Sequence, residues 1–474
     1  MKNENGFMMS NTINIGRKDV LWNYAATFLQ IGVGVILLPF ILRVFPQETV
    51  AIWTIFTTII MLTGLLDFGF NPSFARNVSY VVSGVKELKV TGYNTVENDN
   101  SEIDYSLFKG LINAMRWFYT RVALILFVLL SIAGTCYMYT VLKSYSGNHT
   151  EVYIAWIILV IINSYSLYTM YYDSLMQGQG MVKRSKQIQI VGQSVYLIVA
   201  IVLILLRFNL IAIVSAQALS IIIKRILAYR TIYTAGFKQH IHGVKAQARK
   251  EILKMVYPNA VKMGLTGLGS FFVTRASIII GSLYLSLETI ASYGITIQII
   301  AIISSIASVY FATYLPKIVQ YWVQNDSAVI KQIYMRGCLL LLGTFVLGGL
   351  ALVFLGEWAL NIIGSQTPLL SKSFMAVALL VFLLETNHSN AAGVLLTKNE
   401  VPFFKASLFS GAFTVILLFI FLGYLNWDVW SLIFAQGVAE LYNNWKWPYE
   451  VYTQLHLSKT DIKNFFSLKF KTRW

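Results

Sequence analysis

Arg275 and Glu385 are ionisable residues set deep in apolar sequence. Each lies 13 residues from its flanking charges, Lys262 and Glu288 for the first, Lys372 and Lys398 for the second. A guanidinium in such a place binds phosphate or carboxylate through its charge and planar donors, whereas a carboxylate holds a proton or a basic partner. A charge at the centre of a bilayer costs at least ~2.5 kcal/mol on insertion scales, so each must face protein or water. Two readings are open: the residues pair and hold two helices together, or they serve an anionic substrate and a proton.

Glu385 begins the run Glu385-Thr-Asn-His-Ser-Asn390, the most polar stretch inside any apolar segment. Residues 385, 388 and 389 share a helical face. Gln436, Glu440 and Asn443 recur at i, i+4 and i+7, as do Asn23, Thr27 and Gln30. Any one of these stripes serves as hydrogen bonding between helices, but the three together predict a hydrated interior. His388 lies on the first stripe.

Other residues carry weaker chemistry. Tyr165, Tyr168 and Tyr172 fall on one face beside Asn163 and Asp173, a pattern suited to sugar stacking and equally to anchoring at a membrane interface. Arg76, Arg116, Lys224, Arg225 and Lys262 sit at the ends of apolar segments, where they bind phosphate or simply mark topology; Lys262 is the one placed just inside its segment. His240-Ile-His242 lacks further ligands at metal spacing, so no metal is expected. No GK[ST] phosphate loop, HExxH or GxSxG occurs, which leaves an ATP-driven pump, a hydrolase and a bound cofactor without support. Cys136 and Cys338, the two cysteines, both lie in apolar sequence.

The elements that must position these residues are long and apolar. The chain has 474 residues, of which 57% are hydrophobic and 12% charged. About twelve stretches reach the roughly 20 residues needed to cross a bilayer as helix. They fall near 20–44, 49–70, 117–142, 152–176, 189–206, 210–233, 260–285, 289–315, 335–358, 370–395, 405–425 and 428–447. The sequence therefore predicts an all-α, polytopic membrane protein of about twelve transmembrane helices in two six-helix lobes. The expected divisions are an N-terminal segment 1–19, an N-lobe 20–233, a linker 234–258, a C-lobe 259–450 and a tail 451–474.

Placing the amino terminus and every second loop in the cytoplasm leaves only Arg43, Lys143, Arg207 and Lys372 among the external basic residues, with Arg121 and Arg275 inside spans. Both termini are then cytoplasmic. The net charge of +16 follows from this bias and from contact with anionic lipid, and nucleic acid is not an expected partner. External loops are short, at Pro46–Glu48, Ser146–Thr150, Phe208, Leu285–Leu287, Asn361–Pro368 and Asn426–Trp427, so no catalytic domain fits outside. The acidic, Asn-rich patch from Glu97 to Asp104 reads as a solvated insertion. The next segment, 105–116, has an apolar helical face and reads as a helix lying on the membrane surface.

Glu48-Thr-Val-Ala-Ile-Trp-Thr-Ile55 matches Glu288-Thr-Ile-Ala-Ser-Tyr-Gly-Ile295, each at the turn between the first and second helices of a six-helix half. Asn23 and Asn259 open the two first helices, and Pro72 and Pro316 follow the two second ones. An even number of helices per half gives the halves one orientation about an axis along the membrane normal, with a cavity between them.

Asp67-Phe-Gly-Phe-Asn-Pro-Ser-Phe-Ala-Arg76, Thr274-Arg275 with Gly281 and Glu288–Gly294, and Gln177-Gly-Gln-Gly180 with Lys183-Arg184 resemble the polysaccharide flippases of the multidrug/oligosaccharidyl-lipid/polysaccharide exporter superfamily. The resemblance spans most of the chain. It implies an alternating-access carrier, not an enzyme, that moves undecaprenyl-pyrophosphate-linked oligosaccharide across the bacterial cytoplasmic (inner) membrane for surface polysaccharide synthesis, O-antigen among them. Its implied partners are the lipid-linked oligosaccharide, membrane lipids, a polysaccharide polymerase and glycosyltransferases. A cationic cavity would be supplied by Arg275 and Lys262, with Glu385, His388, Asn23, Gln30 and Glu440 as further substrate contacts. Arg275 falls about 140° around an ideal helix from Lys262, so both face one cavity only if Gly264, Gly267 and Gly269 allow a bend. A drug/cation antiporter of the same superfamily is the alternative; it would be expected to carry a carboxylate in the first helix, where Ala25–Leu42 has none. A polymerase or ligase would need a large external loop.

Overall fold

The computed structural model describes residues 17–82, 84–88, 103–323, 327–397 and 402–457. Most of Glu97–Asp104, the first 16 residues and the end of the tail lie outside them. Among the described residues there are helices and no strands. In chain order these are α1 (Arg17–Val44), α2 (Gln47–Leu65), α3 (Phe70–Val82), α4 (Tyr105–Leu129), α5 (Thr135–Leu142), α6 (His149–Tyr168), α7 (Tyr171–Gly178), α8 (Val182–Leu205), α9 (Asn209–Ile232), α10 (Ala235–Ile241), α11 (Arg249–Gly281), α12 (Leu287–Val323), α13 (Ser327–Ile363), α14 (Lys372–Leu396), α15 (Phe404–Gly423), α16 (Val429–Ala439) and α17 (Leu441–Gln454). Among the described residues, ten segments are long and apolar enough to cross a membrane, and Phe28–Val44 is a shorter apolar one. The protein is an all-α polytopic membrane protein. Large apolar side chains such as Ile132, Leu347 and Phe409 stand exposed because hydrocarbon, unlike water, does not drive them inward.

The chain divides into two compact units, Met1–Thr49 with Phe56–Gly267, and Val50–Ile55 with Leu268–Trp474. In the first unit the short turns gather at one end. The Glu48 carboxylate accepts from the Ser146 backbone N–H at 2.7 Å and its hydroxyl at 2.8 Å, while Glu151 accepts from the Leu210 N–H at 3.2 Å. At the far end of α4, the Ser106 hydroxyl donates to the Lys245 carbonyl at 2.7 Å and Lys109 to those of Ile241 and Val244. Asp104 caps α4 by accepting from the N–H groups of Ser106 and Leu107 at 2.8 and 3.0 Å.

The structure corrects two sequence expectations. Residues 105–116 do not form a separate surface helix: with no breaker at Arg116–Trp117, they are the first turns of α4, and Phe108 and Leu111 are buried, Phe108 against Phe237. Pro316 does not follow its helix, since α12 continues to Val323. Pro72 does follow α2, as expected, and lies within the first turn of α3, where its missing N–H is tolerated.

Between α2 and α3 the backbone turns through Phe68 and Gly69, both left-handed at φ 49° and 68°. Asp67 holds the turn, accepting from the Asn71 N–H at 3.0 Å and from the Tyr119 hydroxyl at 2.6 Å. Gly264 of α11 is packed onto it, so close that a Cβ there would lie 2.3 Å from the Phe68 Cα. In the second unit a Cβ on Gly269 would meet the Ser407 carbonyl oxygen of α15 at 2.4 Å. These glycines allow close helix approach, and α11 runs unbroken from Arg249 to Gly281. The repeated octamers of the sequence both begin in the first turn of a helix, α2 and α12, and their seventh residues, Thr54 and Gly294, pack together.

Candidate functional site

The second unit gathers the polar stripes of α14 and α16–α17 into one network. α14 carries Glu385, Thr386, His388 and Asn390 within two turns. The last helix is broken at Glu440, which stands between α16 and α17 and turns its carboxylate inward. Gln436 donates to the Glu385 carboxylate through a short hydrogen bond. His388 Nε2 lies 3.2 Å from Glu440 Oε2, and Nδ1 lies 2.7 Å from Asn444 Oδ1. Asn443 Nδ2 reaches both Glu440 oxygens at 3.2 Å and the Ser410 hydroxyl at 2.9 Å, and Trp447 donates to Asn443 Oδ1 at 2.9 Å. On the other side of α14, Thr386 and Asn390 donate to Ser304 and Ser308 of α12 at 3.0 and 2.9 Å.

This arrangement constrains a proton. Oxygens lie against both ring nitrogens of His388; if both only accept, the ring must be the doubly protonated imidazolium. With a single ring N–H donated to Asn444, the Glu440 carboxyl must carry the proton instead. Turning the Asn444 amide over removes the requirement, because neutral His388 then donates to an ionised Glu440. Proton occupancy of the pair and the orientation of Asn444 are thereby linked. Glu440 and His388 are both buried, so the linkage operates away from bulk water.

Arg275, on α11, is half-buried. It makes no hydrogen bond or ion pair with the described residues, although Glu385 and Tyr293 lie within electrostatic reach. Glu385 spends its hydrogen bond on Gln436 instead. The second unit thus holds a cation without a bonded partner beside a carboxylate that has one.

The first unit holds a different set. Gln30 is exposed on α1 and accepts from Gln189 of α8 at 3.1 Å. The side chains of Asn23, Thr27 and Lys262 lie outside the described residues. Arg225 is bound at 2.8 Å to Asp173, and Lys224 lies flat on Gly192, where a Cβ would meet its Cδ at 2.4 Å. Arg116 reaches Tyr168, and Tyr171, Tyr172, Tyr229 and Tyr233 form a chain of ring contacts from α7 to the end of α9.

Sequence reasoning brought out Glu385, His388, Gln436, Glu440 and Asn443, all of which meet in this network. It missed Asn444 and Ser410. Both had a signal in the spacing: Asn444 is four residues beyond Glu440 on the same helical face, and Ser407, Ser410 and Thr414 form an i, i+3, i+7 stripe in the otherwise apolar α15.

Neither a protein-family model nor a curated protein sequence matches this chain. Solved structures do match its fold. A multidrug resistance MATE family transporter of the MOP superfamily, in an inward-facing conformation, aligns with TM-score 0.61 at 11% identity, covering 94% of this chain and 96% of its own. The lipid II flippase MurJ, in an inward closed conformation, aligns with TM-score 0.60 at 13% identity over 94% and 89%. A MATE structure in complex with MaL6 gives 0.53 at 14% identity over 95% and 99%. The neighbours are transporters, and the fold of this chain is the one shared by MATE transporters and MurJ.

Proposed function

We propose that this protein is an alternating-access flippase that carries undecaprenyl-pyrophosphate-linked oligosaccharide across a bacterial cytoplasmic membrane for surface polysaccharide synthesis, with both termini in the cytoplasm. The observation that carries this reading is Arg275. A guanidinium that is half-buried in a spanning helix, without a hydrogen-bonded partner among the described residues, is costly unless an anion comes to it. A pyrophosphate supplies that anion. Lys262 is proposed as a second cation, and Glu385, His388, Glu440, Asn23 and Gln30 as polar contacts for the sugar. Glycosyltransferases make the substrate and a polymerase consumes it.

The second reading, a drug/cation antiporter, draws on the buried His388–Glu440 pair, which can exchange a proton for a cationic cargo. One experiment separates the two. Proteoliposomes are loaded in parallel with a fluorescent undecaprenyl-pyrophosphate oligosaccharide and with a cationic dye. The flippase reading expects movement of the lipid, lost in Arg275→Ala. Dye movement with the lipid stationary would replace it with the antiporter.

A further inference from the structure

The outer face of α15 carries a groove of about 590 Å³. Phe409, Phe413 and Ile416 of α15 and Tyr442 of α17 line it, over a floor of the buried Ser410 and Ala439. Phe409 is 74% exposed, Ile416 53% and Tyr442 54%. The floor offers no free polar group, because the Ser410 hydroxyl donates to the Ala439 carbonyl at 3.0 Å and accepts from Asn443 at 2.9 Å. Apart from the Tyr442 hydroxyl, a polar solute has little to bind along this length. Hydrocarbon does, and the volume lies within the ~300–1,000 Å³ of ligand pockets.

One end of the groove is different. Lys405 lies in the first turn of α15 and is exposed, and its ammonium makes no hydrogen bond or ion pair with the described residues. We infer that the groove is a binding site for an anionic diacyl phospholipid of the surrounding leaflet, with one acyl chain along α15 and the phosphate on Lys405. Length argues for this occupant over a polyprenyl tail. From Lys405 to Ile416 the helix rises roughly 16 Å at ~1.5 Å per residue. That is about half of the ~30 Å hydrocarbon core, the depth of one leaflet. A long polyprenyl chain would outrun it. The floor covers the Asn443–Glu440 network, so the bound chain would keep water from the buried carboxylate on this side.

The inference is independent of the transported substrate and is tested without transport. The full-length protein is placed in phosphatidylcholine nanodiscs containing trace photoactivatable phosphatidylglycerol or phosphatidylcholine, each with a diazirine on the acyl chain, and the adducts are mapped by mass spectrometry. Phosphatidylglycerol should label the peptides holding Phe409, Phe413 and Tyr442 in preference to phosphatidylcholine. Lys405→Gln, at an exposed position that leaves the fold intact, should reduce that preference about five-fold, the worth of one basic residue near an anionic lipid. Ala406→Trp, which fills the groove, should reduce labelling by both. Equal labelling by the two lipids, or an unchanged preference in Lys405→Gln, would overturn the site. Displacement by undecaprenyl phosphate but not by excess phosphatidylglycerol would overturn the assignment to a leaflet lipid.

Discussion

His388 Nε2 faces Glu440 Oε2 at 3.2 Å, while the other ring nitrogen is held by Asn444 at 2.7 Å. Truncating one member of such a buried pair leaves the others without partners, whereas an isosteric amide keeps the hydrogen bonds. Glu440→Ala is therefore expected to destabilise the protein by about 3 kcal/mol, and Glu440→Gln by much less. Thermal unfolding in one detergent checks both. If the pair is the proton site, Glu440→Gln also flattens the pH dependence of transport at unchanged protein level.

Arg275 and Glu385 give a double-mutant test. Arg275→Ala should lower lipid-linked oligosaccharide transport at least about ten-fold, the scale of one lost charge-assisted hydrogen bond, while Arg275→Lys keeps part of it. Glu385→Gln should leave protein level unchanged, because Gln436 can still donate to the amide oxygen. In the double variant, recovery of a protein level lost in Arg275→Ala would mark the two as structurally coupled. Transport that stays normal in Arg275→Ala would remove it from the site.

The spans were legible because lipid forces the backbone to satisfy itself, so each long apolar stretch had to be helix. What the pattern could not carry was how those helices break. Phe68-Gly69 turns left-handed inside the stretch 49–70, which is apolar but for Asp67, and Glu440 interrupts the last span within Ala-Glu-Leu. Periodicity placed His388 and Glu440 on inward faces, yet which faces meet depends on tertiary packing. Arg275 and Glu385 were equally open to pairing or to ligand binding, because only the competing bond from Gln436, outside the local sequence, decides what Glu385 holds.

Gly269 tests the packing of α11. A methyl there would press on the Ser407 carbonyl at 2.4 Å, and one on Gly411 would meet the Gly269 carbonyl oxygen at 2.6 Å. Backbone cannot yield as a flexible side chain does. Gly269→Ala and Gly411→Ala should each cost about 1–3 kcal/mol, read as lowered melting temperature, whereas Gly343→Ala, with open space around it, should cost little.

The driving force follows from charge. A pyrophosphate diester carries about two negative charges, and moving one charge through the full potential is worth ~2.3 kcal/mol per 100 mV. An inside-negative membrane therefore favours outward passage of the headgroup by up to roughly twice that figure if it moves alone and roughly once if it moves bound to Arg275, and no nucleotide is needed. The return step has the opposite cargo: an empty carrier whose cationic site, Arg275, is drawn inward by the same potential. Both halves of the cycle then run downhill in one field, provided that Arg275 moves across it. Transport into proteoliposomes should accelerate as a lumen-positive potassium-valinomycin potential is imposed and slow as it is collapsed, without ATP. In Arg275→Lys the voltage dependence should persist, because the charge is kept, even as the rate falls. Rates indifferent to the potential, or a strict requirement for ATP, would rule this coupling out.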